Sequence, residues 1–266
     1  MRKAAAAVCA LGLMGAAPAD WRALDPQETL VIETTKGTII VEMRPDLAPQ
    51  AVARVKLLAR EGVYDGLLFH RVVDRFVDQT GNPNNRDGGT SSHPDLPPEF
   101  TARLKPADVA IVRSASDEIA GFLGATPVAA EAADVAARRE DGTLRAWGAY
   151  CPGVAGMGRQ ADEGSANSEI FFMREPARRL DRAYTVWGTA VVGLEAIRAM
   201  AVGEPPAAPD RMIRVRVAAD LPPAERPRVE VMDVRGAAFA GVAEAARRAK
   251  GADFSVCDVT VPARMR

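Results

Sequence analysis

From Thr29 to Thr35 apolar and polar residues alternate, Lys36-Gly37 supplies a turn, and alternation resumes from Thr38 to Met43. A period of two marks half-buried strands, so the chain is expected to open with a β-hairpin in an antiparallel sheet. The period then changes: Pro49 starts a stretch in which Val52, Val55 and Leu58 share one helical face, and Gly62 ends it. A second helix is expected after Gly193, from Leu194, Ile197 and Ala201. Asn82 to Pro98, rich in Asn, Gly, Ser and Pro, reads as loop. Periodicity alone gives a mixed, mainly β chain with few helices.

Two regions break this rhythm. An Ala/Glu/Arg run from Ala129 to Glu140 reads as a surface helix or as an insertion that contacts a client, inside an insertion spanning about 111–147. Long surface insertions are tolerated thermodynamically, so no task need be assigned to it. After Leu221-Pro222-Pro223, a strand is expected over Val229–Val234, a helix over Ala237–Lys250 with Phe239 and Val242 inward, and a strand over Phe254–Val261. This β-α-β extension, 222–266, is too small to fold well alone and is expected to pack on the preceding domain, 20–221. A docking surface or dimer contact is the alternative; otherwise the chain is expected to be a monomer.

The first 19 residues carry Arg2 and Lys3, an apolar Ala/Leu/Met run, and Ala17-Pro18-Ala19 before Asp20. Those are the parts of a secretory signal peptide. The apolar run is shorter than the ~20 residues a spanning helix needs, so cleavage is expected rather than anchoring, with a periplasmic destination and no membrane insertion afterwards. Cys9 lies inside the apolar run, not at its end, which argues against a lipoprotein signal. Its removal leaves Cys151 and Cys257, which an oxidising compartment would allow to pair; two unpaired thiols are the equal alternative.

The formal net charge of −1 excludes an electrostatic case for nucleic acid or anionic membrane as partner. His70 and His93 are the only histidines, and neither stands at ligand spacing from a cysteine or an acidic cluster. No metal site and no cofactor are expected.

The chemistry-bearing stretch is Leu68-Phe69-His70-Arg71-Val72-Val73-Asp74-Arg75-Phe76-Val77-Asp78-Gln79-Thr80-Gly81-Asn82-Pro83. In an extended hairpin turning at Asp74-Arg75, Arg71 and Gln79 share a face. The run resembles the cyclophilin-type peptidyl-prolyl isomerase signature F-H-R-V-I-x-x-F-M-x-Q-G-G-D/N-P. It departs at Asp74-Arg75 for Pro-Gly, at Val77 for methionine and at Thr80 for glycine. Met157-Gly158-Arg159, Asn167-Ser168-Glu169-Ile170-Phe171-Phe172, Leu180-Asp181 and Tyr184-Thr185-Val186-Trp187-Gly188 follow in the order of the same family's remaining blocks. The resemblance spans roughly Thr29 to Leu221.

It implies a closed antiparallel eight-stranded barrel capped by two helices, and an isomerase of Xaa-Pro bonds in proline-containing polypeptide clients, here exported proteins. That bond has an isomerisation barrier of about 18–20 kcal/mol, and its twisted transition state frees the prolyl nitrogen lone pair. The family assigns a fixed donor there to the residue matching Arg71, with the match of Gln79 holding the substrate carbonyl and steadying the arginine. Phe76, Val77, Phe171 and Leu180 match the pocket for the proline ring, with Gly158, Glu169 and Tyr184 alongside. Glu169 stands for a glutamine, placing a carboxylate near Arg71 that would orient the guanidinium or hold it from substrate. Arg179 stands where many members carry a tryptophan that binds cyclosporin, and Tyr184 where many carry a histidine. His70 is expected to be a hydrogen-bonded structural residue facing away from Arg71. A non-catalytic proline-binding chaperone or scaffold using the same groove is the rival reading.

Overall fold

The computed structural model describes residues 20–266; the expected signal peptide at 1–19 lies outside them. A short strand β1 (Trp21–Ala23) precedes the hairpin β2 (Thr29–Thr34) and β3 (Gly37–Met43), whose register runs from Thr29 opposite Glu42 to Thr34 opposite Gly37. Alternation sends Ile39, Val41 and Met43 to one face and Ile40 and Glu42 to the other. Helix α1 (Pro49–Arg60) follows, buried along Val52, Val55 and Leu58 as its spacing predicts. Its first-turn amides have no partner within the helix, and the Glu99 carboxylate accepts from Gln50 N at 3.0 Å and Ala51 N at 2.9 Å.

The hairpin β4 (Arg71–Val73) and β5 (Val77–Thr80) comes next, turning at Asp74-Arg75 with Arg75 at φ 53°. The long stretch after it holds β6 (Ala102–Leu104), β7 (Ala110–Ser114), β8 (Glu118–Leu123), β9 (Thr126–Glu131), a one-turn helix α2 (Ala133–Ala136) and β10 (Leu144–Gly148). Thereafter come β11 (Val154–Met157), β12 (Ile170–Met173), β13 (Val186–Val192), α3 (Leu194–Arg198) and β14 (Met212–Val217). The tail supplies β15 (Val229–Met232), α4 (Ala237–Lys250) and β16 (Ala263–Met265).

Eight of these strands form one antiparallel sheet in the order β14-β2-β3-β13-β11-β12-β5-β4. The sheet curls until its ends meet: Val72 and Gly203 exchange backbone hydrogen bonds of 2.8 and 2.9 Å, and Met212 bonds to Leu67 and Gly66. The barrel interior holds Leu30, Ile32, Ile39, Val41, Phe172 and Trp187, with the apolar face of α1 against them. The second helix is shorter than expected: α3 ends at Arg198, leaving Ala201 beyond it. Arg174 terminates it by donating to the carbonyls of Ile197, Arg198 and Met200.

The inserted region corrects the expectation of a surface helix over Ala129–Glu140. Ala129 and Ala130 are buried in β9, central in a five-stranded sheet of order β6-β10-β9-β8-β7 that already begins at Ala102. This second sheet lies against the outer face of the barrel, and Ile40, Val154 and Val186 share a core with Phe122, Val128 and Leu144.

The tail is also corrected in part. The strand expected over Phe254–Val261 does not form: the segment follows a 3-10 turn at Gly251–Asp253 and contains one at Val256–Asp258, and the closing strand is β16. Strand β15 pairs with β16 on one side and with β1 on the other, so Trp21–Ala23 joins the tail and not the barrel. Helix α4 forms as expected, with Gly251 at φ 60° after its last turn. Its Phe239 packs edge-on against Phe122 of the second sheet at 5.2 Å. Cys151 and Cys257 form a disulfide with Cα atoms 4.9 Å apart, which resolves the two readings left open by sequence.

Candidate active site

Strand register assembles the site. Arg71 stands opposite Gln79, Gln79 opposite Phe171, and Phe171 opposite Gly156, a single rung across β4, β5, β12 and β11. Residues opposite one another share a face, so all four lie on the outside of the barrel. The next rung on that face is Val73, Val77 and Met173. The intervening residues Val72 and Phe172 point into the barrel.

A polar chain runs along this surface. Arg71 Nη1 donates a short hydrogen bond to Gln79 Oε1, and Gln79 Nε2 donates to Glu169 Oε1 at 2.7 Å. Glu169 Oε2 accepts from Asn82 Nδ2. A carboxylate only accepts, so Glu169 turns the Gln79 amide with its carbonyl toward the guanidinium. Glu169 thus bonds to Gln79 and Asn82, and reaches Arg71 through Gln79. Gly158 makes room for this carboxylate, since a Cβ there would stand 2.1 Å from Glu169 Oε1. Its amide also donates to the Glu169 carbonyl at 2.8 Å.

The apolar residues gather beside that chain. Phe171 is stacked by Tyr150 at 5.7 Å and met edge-on by Tyr184 at 6.0 Å. Its ring lies across Gly156, where a Cβ would come within 2.4 Å of it. Val77 and Phe171 are almost wholly buried and make the floor, while Phe76, Leu180 and Tyr184 are half-buried and make the walls. Arg179 lies over the Phe76 ring at 4.6 Å, and Arg159 over Tyr184 at 4.4 Å. Asp181, next to Leu180, accepts from Tyr150 N at 3.0 Å and Trp147 Nε1 at 3.2 Å, tying the inserted sheet to the pocket. Burial pushes its carboxyl above the usual aspartate range, against the pull of Arg178.

All nine residues singled out from sequence thus fall into one connected surface. Others were not foreseen. Glu204 pairs with Arg71 Nε at 2.6 Å from the far side of the barrel closure, a contact no local spacing reveals. Tyr150 and Asn82 join through the fold. His70 is buried but, contrary to the hydrogen-bonded role expected for it, neither ring nitrogen has a hydrogen-bond partner among the described residues. Sequence spacing puts no acidic group near it, whereas the fold brings Glu169 and Asp87 within reach.

The family model described as cyclophilin type peptidyl-prolyl cis-trans isomerase/CLD matches residues 29–217. The chain belongs to that family. A "Probable peptidyl-prolyl cis-trans isomerase" of Brucella suis biovar 1 is 29% identical over 236 residues, covering 83% of this chain and 97% of the relative. The relative of the same description in Brucella abortus matches to the same extent. The crystal structure of cyclophilin AquaCyp293 from Hirschia baltica superposes with a TM-score of 0.84 at 31% identity, covering 92% of this chain and 93% of that one. That coverage extends beyond the residues that the family model matches. The protein is a cyclophilin-type peptidyl-prolyl cis-trans isomerase with a mainly β, barrel-forming fold.

Proposed function

We propose that this isomerase twists Xaa-Pro bonds of exported polypeptides in the periplasm, assisting their folding, with Arg71 as the catalytic donor. The observation that carries this reading is the Arg71–Gln79–Phe171 rung: a permanently charged fork and an aromatic floor on adjacent strands, facing one way. A planar amide nitrogen is a poor acceptor; once twisted it accepts well, so an N–H fixed by Gln79 binds the transition state better than either planar isomer. The proline ring sits on Phe171 within Phe76, Leu180 and Tyr184, where burial contributes on the order of 1–3 kcal/mol. Gln79 holds Arg71 in place and meets the substrate carbonyl. The reaction asks for no cofactor, since no bond is made or broken.

In a protease-coupled assay on a Xaa-Pro peptide, Arg71→Ala is expected to lower kcat/KM by about 10²-fold, the usual cost of one transition-state donor, with an unchanged melting temperature. Equal activity in both proteins overturns the role of Arg71. Peptide binding without turnover in the parent would make the groove a proline-binding surface instead.

A further inference from the structure

Behind the catalytic rung, three ligand-type side chains converge from parts of the chain far apart in sequence. His70 precedes β4, Asp87 lies in the loop after β5, and Glu169 precedes β12; one donor atom from each lies within 4.8 Å of the other two. His70 is 5% exposed, and both its ring nitrogens lack a hydrogen-bond partner among the described residues. Its Nε2 points at Glu169 Oε2, 3.5 Å away, beyond hydrogen-bond length. A buried imidazole left unpaired is costly, and such an orphan facing one carboxylate, with a second within 4.8 Å, is what a cation would satisfy. Asp87 is exposed and, with His70, lines an open cleft of about 530 Å³, which gives an ion a way in.

From this we infer that His70, Asp87 and Glu169 bind a first-row divalent cation, with solvent completing its coordination. One imidazole nitrogen and two carboxylates suit zinc, cobalt or nickel; calcium and magnesium, which take oxygen ligands, do not use the imidazole. Tetrahedral ligand atoms about 2.1 Å from one centre stand about 3.4 Å apart, so closing a set spread over as much as 4.8 Å needs a shift of up to about 1.4 Å. The exposed loop carrying Asp87 supplies it.

Resting on the catalytic reading above, the site also regulates it. Glu169 is the acceptor that orients Gln79, and Gln79 holds Arg71. A cation on Glu169 draws charge from the oxygen that Gln79 donates to, loosening the hold on the guanidinium. Occupancy therefore slows isomerisation.

The test uses the full chain stripped of metal by chelation. Titration with cobalt(II) is expected to develop visible d–d absorption, and calorimetry with zinc(II) to give one site per chain. Asp87→Asn and Glu169→Gln each weaken that site at least tenfold with unchanged circular dichroism. No cobalt spectrum in the parent, or binding that both variants retain, as would follow from an ion held at the exposed His93–Glu61 pair, overturns the site. In the peptide assay, zinc is expected to slow the parent several-fold and to leave Asp87→Asn at its metal-free rate; equal slowing of both overturns the regulatory link. Failure of the catalytic reading shows separately, as absent turnover in metal-free protein, because the spectrum and the heat do not depend on activity.

Discussion

Asp78 neighbours Gln79 in the chain yet faces the barrel interior, fully buried, with Arg174 Nη1 at 2.9 Å. Burial pushes its carboxyl up to about 7, opposed by the hydrogen bond and charge of Arg174 and reinforced by Asp210. The folded protein therefore holds a proton on Asp78 that the unfolded chain releases above about pH 4. Where the native state binds more protons, stability falls as pH rises. This contribution is complete below the ordinary aspartate range and is lost as pH climbs through about 7. Melting temperature is expected to decline across that window, and Asp78→Asn, which keeps an oxygen for Arg174, to flatten the decline. Asp181 is shifted in the same direction, so some slope remains. A variant with the parent's slope would show that Asp78 is ionised throughout.

Strand pairing, one scale up, explains why a glycine lies beneath the floor of this site. The Phe171 ring occupies the space a side chain at Gly156 would need. Gly156→Ala should lift that ring toward the groove, costing about 1–3 kcal/mol as overpacking does, and lower kcat/KM roughly tenfold. Chemical denaturation together with the peptide assay checks both; an unperturbed variant would place the ring elsewhere. The same scale shows what sequence could and could not reveal. The first hairpin and α1 were legible because their periods are clean and their partners local. The Arg71–Gln79 end of the rung was legible because both residues lie in one contiguous motif whose register a three-residue turn sets. Ala129–Glu140 misled because alanine favours helices, whereas Ala129 and Ala130 are held in a strand by long-range pairing with Trp147, Ala146, Ala120 and Ile119. Phe254, Val256, Val259 and Val261 are all buried at spacings that mimic a strand, but only Val256 lies in a 3-10 turn and the other three in irregular backbone. The approach of Glu204 to the motif depends on barrel closure and left no local trace.

Across the whole molecule, barrel, inserted sheet and tail are fastened to one another. Glu42 on the barrel accepts from Ala125 N of the second sheet at 2.8 Å and from Arg22 beside the tail at 2.9 Å. The Cys151–Cys257 disulfide closes a loop across a sequence separation of 106. Constraining the unfolded chain over such a loop stabilises by about 2–4 kcal/mol. Urea unfolding with a thiol reductant should show that loss, matched by a Cys151→Ala/Cys257→Ala double variant; an unmoved midpoint would mean the bridge stores no stability. Because Tyr150, the residue before the bridge, stacks on Phe171, isomerase activity is expected to fall with it.

The pairing of Trp21–Ala23 with Val229–Met232 brings the beginning of the described chain and its end into one small sheet. A ribosome delivers these partners in the wrong order for that contact. The barrel strands can all be made and paired while β1 still waits, its edge bare, for a mate that is translated only after the last of them. Assembly of this enzyme is thus completed at its seam: a nascent chain released short of β15 would hold every residue of the catalytic rung and yet keep an open strand available to any neighbouring chain.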